Sequence, residues 1–192
     1  APTPNKSVYI SNHQNIYDFV TSPGMLRPRT VSLGKKELVW IPFFGQLYWI
    51  TGNILINRQD KSKARDTIKQ VAEAIHQRDL SVWAYPEGTR SKGRGLLPFK
   101  TGAFRMAIKA GVPITPMVVS SMHNKIDLGR RNNGIVICEM LDPIDVSGYR
   151  LSDARHLAEH CHTLMAKRIA ELDEEVARLE QQQHTPLNQV SD

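Results

Sequence analysis

The stretch LSVWAYPEGTRSKGRGLLPFKTGAF, Leu80 to Phe104, decides the fold. Leu80 to Tyr85 is an apolar run of strand length, cut off by Pro86. Three glycines, Gly88, Gly93 and Gly95, and the cations Arg90, Lys92, Arg94 and Lys100 follow within a long loop. Thr101 to Ala110 then reads as a helix, closed by Gly111. A strand that ends in a glycine-rich cationic loop and continues into a helix is the repeating unit of an α/β layer fold. Ligands of such folds collect at strand ends, where loops carry chemistry and backbone amides can approach a substrate.

Outward from this unit the alternation continues. Strands are expected at Ser7 to Ile10, Thr30 to Leu33, Asn53 to Asn57, Ile114 to Ser120 and Ile135 to Met140. Helices are expected at Asn15 to Thr21, stopping before Pro23-Gly24, and at Lys63 to Arg78, with Ala64, Ile68, Val71, Ala72 and Ile75 on one face. Lys36 to Trp40 starts a helix that Pro42 interrupts. Leu151 to about Gln183 is a long helix with an apolar stripe of Leu157, Cys161, Leu164, Met165, Ile169, Leu172, Val176 and Leu179. The expected fold is therefore a single α/β domain over residues 1–183, with a mixed, largely parallel sheet flanked by helices and a long C-terminal helix. A disordered tail is expected over 184–192.

The chain has 192 residues, 41% hydrophobic and 23% charged, which is enough for a real core. Its formal net charge of +6 favours an anionic partner: nucleic acid, an anionic membrane surface or a phosphorylated substrate. No nucleic-acid recognition motif is present, so that partner class is set aside. Cys138 and Cys161 lie without CxxC spacing and read as small buried hydrophobes. The longest apolar stretch, Leu38 to Ile50, is too short to cross a bilayer. It serves equally as core or as a lipid-touching segment, with Trp40, Tyr48 and Trp49 as interfacial aromatics.

Near the N-terminus, YISNHQNIYD (Tyr9 to Asp18) places His13 just after a strand and Asp18 five residues on. On one continuous helix, residues five apart cannot meet, so His13 must lie in the turn before the helix for the pair to form. Asn15 is a suitable N-cap, which puts Asp18 in the first turn. One reading makes Asp18 a capping residue and His13 a loop histidine. The other makes them a general base and its orienter, acting on a hydroxyl. No GxSxG elbow or activated cysteine supplies a protein nucleophile, so that hydroxyl would belong to a substrate. No second ligand at familiar spacing accompanies His13, and no metal is expected.

Together these segments resemble the glycerolipid acyltransferase family, in its bacterial lysophosphatidic acid branch. Asn12-His13-Gln14-Asn15-Ile16-Tyr17-Asp18 matches its NHxxxxD block. Gly34-Lys35-Lys36-Glu37-Leu38 and Ile41-Pro42-Phe43-Phe44-Gly45, continuing through Gly52 to Ile56 and Arg58, resemble the second. Pro86-Glu87-Gly88-Thr89-Arg90-Ser91 matches the third, and Val112-Pro113-Ile114-Thr115-Pro116 the fourth. The resemblance implies a glycerol-3-phosphate acyltransferase-like fold. It also implies transfer of a fatty acyl group from an acyl-CoA or acyl carrier protein thioester to the 2-hydroxyl of lysophosphatidic acid, giving phosphatidic acid. His13 would be the base and Asp18 its orienter. Lys35, Arg58 and Arg90 would grip the phosphate, Glu87 would bond the glycerol or order its loop, and Gly88 and Thr89 would line the substrate site. No cofactor beyond the thioester co-substrate is implied. Members usually carry an N-terminal apolar segment that holds them at the membrane; its absence here suggests a processed or truncated chain. The expected location is the cytoplasmic face of the inner membrane. Alternatives are the same fold acting on glycerol-3-phosphate or another lysophospholipid, and a non-catalytic anionic-lipid-binding module.

Overall fold

A computed structural model describes residues 4–56, 64–127 and 129–184. Six strands form one sheet: β1 Val8–Ser11, β2 Thr30–Lys35, β3 Ile54–Ile56, β4 Ser81–Ala84, β5 Ile114–Val119 and β6 Cys138–Met140, in the order β3-β2-β4-β1-β5-β6. Every pairing is parallel except β5 with β6. The helices are α1 Asp18–Thr21, α2 Phe44–Ile50, α3 Ala64–Gln77, α4 Gly102–Ala110 and α5 Ala154–His184. The expected α/β architecture, mostly parallel sheet and long last helix are all present.

Strand alternation gives the sheet two different faces. Val8, Ile10, Val31, Val82, Ala84, Ile114 and Val118 point to one side. There they pack with Val71 and Ile75 of α3, Phe104 and Ala107 of α4, and Leu157, Met165 and Leu172 of α5. The opposite face is more polar. Its core is Tyr9, Trp83 and Met117, joined by Met25, Leu26, Tyr85 and Met140. Ser7 and Thr115, also on this side, share a hydrogen bond of 2.6 Å between their hydroxyls.

Two expectations are corrected, the first helix and the last strand, and the expected break at Pro42 is present. The first helix is only Asp18–Thr21, and Tyr17, not Asn15, precedes it as N-cap. Asn15 instead accepts the Tyr17 amide at 2.8 Å, making a tight turn of its own. Pro42 divides Lys36–Ile50 into a 3-10 turn at Lys36–Trp40 and α2, since its ring cannot donate into a continuous helix. The last strand is confined to Cys138–Met140 because residues 135–137 turn toward other partners: Ile135 N donates to Glu180 and Ile137 N to the Ser120 hydroxyl.

On α5, Leu157, Cys161, Met165, Leu172 and Val176 are buried, while Leu164 is exposed. The stripe is core packing against α4 and β5. Burial pushes the Cys161 thiol up to about 12, and Cys138 is shifted the same way, so both remain unreactive thiols. The expected tail beyond His184 and the residues around Arg58 lie outside the described residues.

Candidate active site

β1 and β4 are parallel neighbours, so His13 after β1 and Pro86-Glu87 after β4 emerge at the same sheet edge. The loop carrying His13 is tied down on both sides. Asn12 exchanges two hydrogen bonds of 2.9 Å with the Val119 backbone. Gln14 donates to the carbonyls of Val119 and Ser120 and accepts the Met122 amide. From the other flank, Ser91 N donates to His13 O at 2.7 Å and Lys92 N to Gln14 O at 3.1 Å.

Within this frame the histidine and the aspartate meet. His13 Nδ1 lies 2.6 Å from Asp18 Oδ2. That same oxygen accepts the amides of Gln14 at 2.7 Å and Asn15 at 3.0 Å. Asp18 therefore reaches back into the loop instead of forward into its helix. Its side chain is wholly buried and the His13 side chain is 13% exposed. With Nδ1 donating to the carboxylate, Nε2 is left as the proton acceptor. The imidazole is stacked on the Tyr85 ring, centroids 3.9 Å apart and planes 15° apart, with Phe19 edge-on at 6.4 Å. Burial, and after it the Asp18 charge, raises the Tyr85 phenol far above its ordinary value, so Tyr85 stays a neutral ring.

Glu87 is a clamp. Its Oε1 accepts the His13 amide at 2.6 Å and its Oε2 the Leu97 amide at 3.0 Å. Each oxygen holds a backbone amide, so Glu87 orders the loop. Burial raises its pKa, while the two amides oppose that shift. Gly88 has φ +71, and a Cβ there would come within 2.7 Å of Lys100 Nζ, so the turn needs glycine and brings an extra cation against the loop. Thr89 and Arg90 are exposed. The Arg90 charge is felt at the Tyr85 phenol. Arg94, by contrast, turns back onto the carbonyls of Ser91 and Arg90. Lys35 is the last residue of β2, which pairs with β4, so its backbone ends beside the same loop. Arg58 lies outside the described residues.

Sequence reasoning did not single out Tyr85, Asn12 or Gln14. Alternation along β4 would have placed Tyr85 on the Trp83 face, but its stacking partner comes from a segment 72 residues away.

Glu87→Gln should be costly for its size. Either orientation of the amide points an NH2 at a backbone N–H, so one charge-assisted bond is replaced by a donor–donor clash. The expected loss is about 1.5–3 kcal/mol of stability, with turnover falling as the His13 loop loosens. Denaturant midpoints and turnover measured on the same sample check it.

A buried His–Asp pair at the strand ends of an α/β sheet, framed by a cationic glycine loop, has the geometry to take a proton from a substrate hydroxyl. The family model described as Acyltransferase matches residues 1–120. The 1-acyl-sn-glycerol-3-phosphate acyltransferase of Haemophilus influenzae is 62% identical over 174 residues, covering 91% of this chain and 72% of that one. The Escherichia coli protein of the same name is 59% identical over 174 residues, covering 91% and 71%. The crystal structure of the 1-acyl-sn-glycerophosphate (LPA) acyltransferase from Thermotoga maritima superposes with a TM-score of 0.69 at 24% identity, covering 89% of this chain and 68% of that one. The chain belongs to the acyltransferase family.

Proposed function

We propose that this enzyme transfers a fatty acyl group from an acyl-CoA or acyl carrier protein thioester to the 2-hydroxyl of lysophosphatidic acid, producing phosphatidic acid for phospholipid synthesis at the cytoplasmic face of the inner membrane. The observation that carries the reading is the bond from His13 Nδ1 to Asp18 at 2.6 Å, which leaves Nε2 as the proton acceptor at the strand-end edge. The close relatives named above give the acceptor.

In the proposed reaction His13 Nε2 takes the proton of the acceptor hydroxyl as its oxygen attacks the thioester carbonyl. A carbon–oxygen bond forms, the carbon–sulfur bond breaks, and the thiolate leaves with the proton that His13 returns. The buried Asp18 carboxylate stabilises the imidazolium while it carries that proton. The thioester is the only co-substrate, and the remaining groups come from the chain itself.

The acceptor's phosphate carries close to two negative charges and presents oxygens that suit planar guanidinium donors. Arg90, whose charge is felt at the Tyr85 phenol, is assigned to it, together with Lys35 and Arg58. Arg90→Ala is expected to raise the KM for lysophosphatidic acid about ten- to a hundredfold, equivalent to ~1.5–3 kcal/mol. The KM for the thioester should stay near its wild-type value. Arg90→Lys should rescue only in part, because it loses the planar fork. Equal effects on both substrates, reproduced by added salt, would assign Arg90 to a general surface charge. The acceptor itself is tested with a panel of lysophosphatidic acid, glycerol-3-phosphate and lysophosphatidylethanolamine. The reading requires lysophosphatidic acid to have the highest kcat/KM.

A further inference from the structure

Gln14, next to His13, spreads its side-chain amide over the backbone that leaves β5. Its Nε2 donates to Ser120 O and its Oε1 accepts the Met122 amide, each at 2.8 Å. Ser121 stands between those two residues and is held by the last helix. Its amide donates to Asp173 Oδ1 and its hydroxyl to Asp173 Oδ2, both at 2.6 Å. Asp173 belongs to α5, which packs against β5. Two turns further along the same helical face, Glu180 accepts Lys125 Nζ and the Ile135 amide, each at 3.0 Å. The chain between β5 and β6 is therefore hung from α5 by two carboxylates.

From Asp173 a continuous line of contacts runs to the catalytic pair. Gln14 grips the residues on either side of Ser121, and its own amide donates to Asp18 Oδ2 at 2.7 Å. That oxygen is the one facing His13 Nδ1 at 2.6 Å. Ser121 and Met122 lie past the end of β5 and outside its pairing with β6, so Asp173 supplies the anchor that a strand neighbour would otherwise give. Two carboxylate oxygens on the amide and hydroxyl of one residue fix its orientation as well as its position. Ser121 is itself exposed, so the fork does little for the core and acts mainly on the loop it orients.

We infer that Asp173 is a positioning residue for acyl transfer: through Ser121 and Gln14 it holds the His13–Asp18 pair in the geometry that proton transfer needs. The inference rests on the reading of His13 as the base. A misplacement of about 1 Å can cost on the order of 10²-fold in rate. Loss of this anchor should therefore appear in kcat, with substrate affinity kept.

The test measures kcat, both KM values and melting temperature for Asp173→Ala, Gln14→Ala and the double variant, with lysophosphatidic acid and an acyl-CoA. Asp173→Ala should lower kcat about tenfold or more, with both KM values near those of the unaltered chain. The double variant should be within about twofold of Gln14→Ala, because the two residues act along one line. Asp173→Asn should recover most of the rate: its oxygen still accepts the Ser121 amide, and its NH2 can donate to the Ser121 hydroxyl oxygen. Arg168→Ala reports on the docking of α5 alone, since Arg168 ties the same helix to Glu139 of β6. It should lower the melting temperature and leave kcat unchanged. If Asp173→Ala fails to fold, Ser121→Ala takes its place: it loses the hydroxyl bond only, and its fall in kcat should likewise vanish in the Gln14→Ala background. An undiminished kcat, losses that multiply in the double variant, an asparagine no faster than alanine, or an equal fall in Arg168→Ala would overturn the inference. Failure of the acyltransfer reading would appear separately, as no product from the unaltered chain with any acceptor.

Discussion

His13→Ala should lower acyl transfer by about 10²–10⁴-fold, the range spanned by loss of a positioned general base. Stability and acceptor binding should change little. The His13 backbone is held independently of its ring: its amide donates to Glu87 and its carbonyl accepts from Ser91, and alanine keeps both bonds. What disappears is Nε2, with the ring stacked on Tyr85. The side chain is largely covered, so some packing is lost as well, but no buried donor is newly stranded. Asp18 Oδ2 still accepts the amides of Gln14 and Asn15. Transfer within a few-fold of the unaltered enzyme would remove His13 from the mechanism.

Asp18→Asn should approach the same loss by a different route. An asparagine oxygen can still accept the two loop amides, so the turn survives and the stability cost should be about 1 kcal/mol or less. The negative charge does not survive. The oxygen that keeps the two amides also stays beside Nδ1, since all three contacts fall on one atom, but as a neutral amide oxygen it no longer stabilises the imidazolium. Turnover should therefore fall by roughly 10²-fold or more while the melting temperature moves only a little. A drop in melting temperature with turnover preserved would return Asp18 to a purely local structural role.

How far the site could be read beforehand depended on sequence distance. Both members of the His13–Asp18 pair lie in one short stretch, and their separation of five demanded a turn before the helix, which is what forms. The glycine-rich loop after β4 was legible because proline, glycine and cations punctuate it. Helix boundaries were less so: Asn15 looked like a cap, but its side chain takes the Tyr17 amide, while Asp18 folds back to accept those of Gln14 and Asn15. Glu87 was ambiguous for a stronger reason. Its two partners are backbone amides of His13 and Leu97, the first 74 residues away, and a backbone donor leaves no mark in the side-chain sequence. The α2 region had the composition of a core segment. Only the sheet shows that α3, α4 and α5 fill the other face and leave it outside.

In the proposed reaction the His13–Asp18 pair deprotonates a substrate hydroxyl for direct acyl transfer. Its most direct measurement is product analysis of the purified chain with lysophosphatidic acid and a labelled thioester, following free thiol and phosphatidic acid together. Thiol and phosphatidic acid should rise in step, neither should rise appreciably without acceptor, and both should collapse in His13→Ala. Thiol release at full rate without acceptor, or phosphatidic acid formed equally well by His13→Ala, would contradict it.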